Sequence, residues 1–218
     1  MDKQFVVIGC GRFGEALSTK LVELGKEVMV VDISEEIVQN ISQTVTYAVQ
    51  ADATDENSIK SLGISNFDVA VISIGANIQA SLLVTLMIKE LGVKKVIAKA
   101  QNELHAKILY KIGADRVVFP EREMGIRVAK NLVSKNVLDF IEFAPDYSVM
   151  EVLVLDEWIG QSLIEIDMRS RYGINVMAIK HGDDINISLI GTYEIKKDDI
   201  LIVIGNNSDL QKIERAEI

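Results

Sequence analysis

The stretch VVIGCGRFGEAL, Val6–Leu17, decides how this chain is read. An apolar run breaks at Gly9-Cys10-Gly11-Arg12-Phe13-Gly14 and then turns amphipathic. This is G-x-G-x-x-G between a strand and a helix. Its first glycine permits a tight turn, its second lets backbone approach a phosphate, and its third lets helix and strand pack closely. Amide N–H groups at the helix start, with the positive end of its dipole, attract an anion. Asp32 ends the next apolar run, VMVVD, eighteen residues after Gly14, where an acid bonds ribose hydroxyls. The competing reading makes Asp32 a turn residue ahead of a helix capped by Ser34.

Arg12 is the unexpected member of the loop. A cation in a first helical turn opposes the dipole and costs a few tenths of a kcal/mol. Glu15 nearby offsets it, which leaves a solvated arginine as one reading. The functional reading is an additional phosphate, held bidentately by the guanidinium, and it favours ATP or ADP over NAD.

Outward from this loop, short β-rich runs alternate with helical patterns over the first 120 residues. The strand candidates are Phe5–Ile8, Glu27–Asp32, Thr46–Gln50, Val69–Ile74, Lys95–Lys99 and Arg116–Phe119. Helical patterns lie between them near Phe13–Leu24, Glu35–Ser42, Glu56–Leu62, Gln79–Leu91 and Glu103–Ile112. Such β-α units imply a parallel sheet covered on both faces, so the first lobe, residues 1–120, is an α/β, Rossmann-like domain. Pro120 begins a helix to about Ser134 with an apolar stripe at Met124, Val128 and Leu132. NVLDFIEF, Asn136–Phe143, reads as a short helix apolar on several faces, buried either inside the C-terminal part or in a dimer contact. Residues 121–145 are thus expected to form a crossover helix and, in the second of these readings, a dimerisation hinge. Residues 146–218 form a small α+β lobe: strand patterns at Ser148–Leu155, Ile174–Lys180, Ile185–Leu189 and Ile200–Ile204, with a short helix at Ser162–Ile166. It is too small for the substrate half of a typical dehydrogenase.

Composition narrows the function. The 218 residues are 49% apolar, enough for a sizeable core, and carry a formal net charge of −9. That charge argues against nucleic-acid partners and against direct docking on anionic lipid. No apolar run is long enough to span a membrane, and MDKQFVVIG enters a strand without a secretory leader, so a cytoplasmic chain is expected. The single cysteine, Cys10, excludes a disulfide framework and a cysteine metal cluster. The two histidines, His105 and His181, read as a solvated helix residue and a turn residue, and no catalytic triad, metal-ligand cluster or Walker lysine appears. The residues leave three classes open: a nucleotide-binding protein without catalytic equipment, a small NAD(H)-binding oxidoreductase or redox sensor, and a structural assembly protein indifferent to nucleotide.

VIGCGRFG, VVDIS, QADATDE, VISIGANIQAS, IAKAQN and KIGADRVVFPEREMG resemble the N-terminal RCK (TrkA-N) domain of Ktr potassium-uptake regulators. SLIEIDMRSRYGINVMAIKHG and KKDDILIVIG look like the RCK-C (TrkA-C) lobe of the same family, and VISIGANIQAS with FPEREMG resembles its KtrA/KtrC type. The resemblance implies a cytosolic regulatory subunit of a potassium-uptake system. Homodimers would assemble into an octameric ring docked on a membrane potassium-translocating subunit of KtrB/KtrD type, activated by ATP and inactivated by ADP. It implies that Gly9, Gly11 and Gly14, with Cys10 and Phe13 between them, form the phosphate loop. Asp32, with Ile33 and Ser34 beside it, holds the ribose, and Arg12 reaches the γ-phosphate across a subunit interface. Ala51, Asp52 and Thr54 border the adenine, while Ile74, Gly75, Ala76 and Lys99 line the crevice. Glu121 matches a glutamate that binds a divalent cation, Mg or Ca; a helix-start carboxylate complementing the dipole is its plainer reading. In the second lobe Leu163, Ile164, Asp167, Arg169, Arg171 and Asn175 match positions that bind cyclic di-AMP. Cys10 stands where the family commonly has leucine.

Overall fold

A computed structural model describes residues 3–133 and 137–214, and the chain forms two compact units, Met1–Arg122 and Glu123–Ile218. In the first, β1 (Gln4–Ile8), α1 (Arg12–Glu23), β2 (Glu27–Asp32), α2 (Glu35–Ile41), β3 (Tyr47–Gln50) and α3 (Glu56–Ser61) make one half. The other half is β4 (Val69–Ile72), α4 (Ile78–Glu90), β5 (Lys95–Lys99), α5 (Glu103–Lys111) and β6 (Arg116–Val118), after which α6 (Pro120–Val133) begins. The strands pair in parallel in the order β3-β2-β1-β4-β5-β6. This is the doubly wound order, with its reversal between β1 and β4, so a crevice opens at the carboxyl ends of those two strands.

Continuous apolar strands are explained by two covered faces. Val6 and Ile8 of β1 pack into one buried cluster with Val31, Ala70 and Ile72, whereas Val7 packs into the other with Val28, Val30 and Val71. Successive side chains point to opposite faces, so a strand covered on both sides has no polar positions to spare. The sheet and helix boundaries lie within two residues of those expected, the largest change being β4, which ends at Ile72, although the Ser73 amide still donates to Ile8 O of β1 at 2.8 Å.

The second unit holds β7 (Val137–Ala144), β8 (Tyr147–Leu153), α7 (Leu163–Ile166), α8 (Met168–Tyr172), β9 (Ile174–His181), β10 (Asp184–Asn186), β11 (Asp199–Asn206) and α9 (Asn207–Glu214). Its strands form an antiparallel sheet in the order β10-β9-β11-β8-β7. Trp158 is buried against Tyr172, with the rings edge to face at 5.5 Å. Its indole N–H donates to the Tyr172 hydroxyl at 3.1 Å.

Three expectations are corrected here. The segment read as a short helix at Asn136–Phe143 is strand β7, with Asn136 outside the described residues. An apolar run of this length has no periodicity that separates helix from strand. Pro145-Asp146 turns the chain back, so β7 finds its backbone partners on β8. Ile141 is exposed in the single chain. The strand expected at Ile185–Leu189 shortens to the three residues of β10, and α8 and α9 were not foreseen. His105 is buried rather than solvated: its Nδ1 accepts from the Gln101 amide at 3.3 Å, and burial pushes its pKa down.

Candidate functional site

The crevice beside β1 and β4 is a cavity of about 580 Å³. At its centre the chain turns from β1 into α1 through the glycine loop. Gly9 has φ +87°, a left-handed conformation that glycine adopts without strain, and its amide donates to Val31 O at 2.8 Å. A Cβ on Gly14 would lie 2.3 Å from the Gly9 carbonyl oxygen, so the third glycine is required by packing. Gly11 differs. A Cβ there would meet no atom of the described residues within 4 Å, so their packing does not demand glycine at that point of the cavity wall.

Helix α1 is also the exception among its neighbours. Side chains of Ser34, Asp55, Asn77 and Asn102 cap α2, α3, α4 and α5, whereas the N-cap of α1 is Gly11, which offers no side-chain acceptor. A side-chain cap contributes about 1 kcal/mol. Its absence leaves first-turn amides, with the positive end of the helix dipole, for an anion in the cavity.

Asp32 joins loop and strand. Its Oδ2 accepts from the Cys10 amide at 2.6 Å and its Oδ1 from the Ser34 amide at 2.9 Å. Each carboxylate oxygen can accept more than one bond, so ribose hydroxyls remain within its capacity. Cys10 itself is buried and faces away from the cavity. Burial, with the charges of Asp32 and Glu15 adding to it, pushes its thiol up to about 11, which removes it as a nucleophile.

Beyond Asp32 lie Ile33, Ala51, Asp52 and Thr54, all on the cavity wall. Asp52 Oδ1 accepts from the Thr54 amide at 2.8 Å and its hydroxyl at 2.7 Å, which holds the Asp52 carboxyl below its usual range. The opposite wall is Ile74, Gly75 and Ala76, followed by Lys99 from β5 and Glu121 from the first turn of α6. Lys99 Nζ bonds Glu121 Oε1. This bond, with a smaller contribution from the Arg12 charge, holds the Glu121 carboxyl below the usual carboxylate range. Arg12 and Phe13 complete the rim.

Of the residues expected in the first site, only Cys10, Gly14 and Ser34 stand off the cavity wall: two pack the loop and the third caps α2. The sequence reading missed Ser73 and Asn77, which also line the cavity. Ser73 directly follows the apolar run of β4, and its buried hydroxyl has no hydrogen-bond partner among the described residues. Asn77 could have been found as the cap before α4. One chain supplies little for a metal ion: among the described residues no group of three or more His, Cys, Asp or Glu side chains is placed to hold one. Among them, too, no helix is long and apolar enough to cross a membrane.

In the second unit a pocket of about 490 Å³ gathers Leu163, Ile164, Asp167, Arg169 and Asn175. Arg171 is not on its wall; its guanidinium lies 5.4 Å from the Tyr172 ring centre. Asp167 is the one non-glycine among the described residues with positive φ, +48°, and it ends α7 while capping α8 through the Ser170 amide. A second feature escaped the sequence reading. His181 Nδ1 lies 2.8 Å from Oδ1 of buried Asp199, whose Oδ2 accepts from the Tyr193 hydroxyl at 2.9 Å and the Lys196 amide at 2.9 Å.

Known proteins match this chain over nearly its whole length. The TrkA-N domain model matches residues 5–120 and the TrkA-C domain model residues 149–216. The chain is 46% identical over 215 residues to Ktr system potassium uptake protein C of Bacillus subtilis (strain 168), covering 99% of this chain and 97% of the relative. It is 44% identical to Ktr system potassium uptake protein A of the same organism over 213 residues, 98% of this chain and 96% of that one. Among solved structures, the RCK domain of GsuK superposes with a TM-score of 0.67 at 15% identity, over 100% of this chain and 49% of that chain. That likeness concerns the fold alone. A full-length match at this identity, with both domain models in order, leaves one assignment: the chain belongs to the KtrA/KtrC-type RCK (TrkA-N/TrkA-C) family.

Proposed function

We propose that the protein is a cytosolic, non-enzymatic regulatory subunit of a potassium-uptake system that senses adenine nucleotides. The relatives are potassium uptake proteins by name, and the site observation that carries the reading is the single cavity in which glycine loop, Asp32, Asp52 and Arg12 converge. In this reading the α1 amides hold the phosphates, Asp32 the ribose, and Ala51, Asp52 and Thr54 border the adenine. Arg12 adds a contact that a γ-phosphate can use and a diphosphate cannot, which is how two ligands sharing a base and ribose could favour different states. Glu121 offers one carboxylate to a divalent cation, so phosphate oxygens must supply further ligands.

Residues 1–120 are the nucleotide domain in this proposal, 121–145 the crossover and dimerisation hinge, and 146–218 the RCK-C lobe. Dimers assemble to an octameric ring that meets a membrane translocating subunit of KtrB/KtrD type at the inner face of the cell membrane. The pocket at Leu163, Ile164, Asp167, Arg169 and Asn175 supports a second ligand, cyclic di-AMP, because an arginine over an apolar floor suits a phosphodiester joined to bases.

Thermal shift and calorimetry with ATP, ADP, NAD⁺ and NADH test the reading, since a ligand of the native state raises the melting temperature. ATP and ADP are expected to bind, with Arg12→Ala weakening ATP by about tenfold or more and ADP far less. Preference for NADH with turnover of a substrate would make the protein an oxidoreductase instead.

A further inference from the structure

The Lys99–Glu121 pair lies on the wall of two cavities. Besides the large crevice, a smaller pocket of about 330 Å³ is lined by Gly75, Lys99, Gln101, Phe119, Glu121 and Arg122, so the ion pair stands where the two meet. Its members are unequally buried: the Lys99 side chain is 13% exposed and that of Glu121 66%. Lys99 Nζ also lies 3.4 Å from the position a Cβ would take on Gly75, so the ammonium rests against the backbone of the cavity wall.

This asymmetry has a physical consequence. A nearly buried ammonium must keep an anionic partner, because leaving it unpaired in a low-dielectric site is costly. A mostly exposed carboxylate can be given up to water at little cost. A polyphosphate in the large cavity carries more negative charge than one carboxylate, and it would repel Glu121. The pair is therefore built to be broken from the Glu121 side.

Resting on the nucleotide reading above, we propose that Lys99 is an exchangeable counter-ion. It neutralises Glu121 within the folded chain and passes to the polyphosphate of an entering nucleotide, releasing the Glu121 carboxylate into the space beside the phosphates. The nearby charge of Arg12 acts in the same sense, since it too favours an added anion.

The alternative is that Lys99 stays on Glu121 and merely shields its charge, and the two arrangements differ in the sign of a coupling. ATP affinity is measured by calorimetry in excess EDTA for the full chain, for Glu121→Gln, for Lys99→Gln and for the double variant. Under exchange, Lys99→Gln weakens ATP by about tenfold or more. Glu121→Gln tightens ATP, and this gain shrinks at least threefold once Lys99 is also replaced. A gain that is equal or larger in the Lys99→Gln background, as bare repulsion from an unshielded carboxylate requires, overturns the proposal while leaving nucleotide binding intact. Unchanged ATP affinity on Lys99→Gln overturns it as well. Should that variant not fold, Lys99→Met, which keeps the aliphatic stem, replaces it in the same cycle. If the unsubstituted chain binds neither ATP nor ADP, the nucleotide reading falls, and this one with it.

Discussion

The backbone amide of Cys10 donates to Oδ2 of Asp32 at 2.6 Å, so the glycine loop and the end of β2 are held as one unit. The acid that would hold a ribose also fixes the loop that would hold the phosphates. In the nucleotide reading, phosphate and ribose positions would thereby be set relative to each other before a ligand arrives, which lowers the ordering cost of binding.

Asp32→Ala is expected to act twice. It leaves the Cys10 and Ser34 amides without their acceptor, lowering stability by about 1–3 kcal/mol in urea denaturation. It weakens ATP, ADP and AMP by a similar factor, since the ribose is common to all three. Affinities unchanged by calorimetry would mean that the acid serves the loop alone.

Two glycines of one motif should respond in opposite ways. Gly14→Ala forces a methyl against the Gly9 carbonyl oxygen and is expected to cost about 2–4 kcal/mol of stability. Gly11→Ala meets no protein atom, so its melting temperature stays near that of the parent while nucleotide binding drops. Equal destabilisation by both would contradict the packing described here.

Cys10 gives a pH signature. Its thiol keeps its proton in the folded chain up to about 11, against a reference value of 9.0, so between these values the unfolded chain has released a proton that the native state still binds. Stability therefore falls as pH rises through that window, by about 2 kcal/mol over its span. Cys10→Ser should show a shallower decline above pH 9.0, on top of a pH-independent offset from burying a hydroxyl; parallel curves throughout would place the thiol in water.

In the second unit, Asp199 ties together the end of β9, the segment at Tyr193–Lys196 and the start of β11. Its side chain is fully buried, so Asp199→Ala is expected to destabilise by about 2–4 kcal/mol. His181→Ala removes one half-exposed partner and should cost clearly less. A chemical denaturation curve for each variant checks the order, and the reverse order would mean that the histidine carries the cluster.

Much of the first unit is determined locally and can be read from the residues in order. Continuous apolar strands, a cap residue before each of α2 to α5, and a glycine loop at the first strand–helix turn each act within a few positions, so their meaning survives without the fold. Asp32 and the glycines could be joined on paper because the β-α-β unit fixes their separation. What depends on distant partners could not. Asn136–Phe143 carries an apolar run that suits either a helix or a strand, and only pairing with β8 made Val137–Ala144 a strand. His105 is polar in sequence and buried in fact, on a helix that packs against α4 and β6. His181 and Asp199 meet because the β9–β11 register sets them opposite each other. Lys99 and Glu121 are brought together by the sheet: β5 and β6 run parallel side by side, so the end of β5 and the start of α6 meet on one rim although the two residues are twenty-two positions apart. Local propensity speaks for single elements. Which charges touch is decided by the packing of elements, a term that no window of sequence contains.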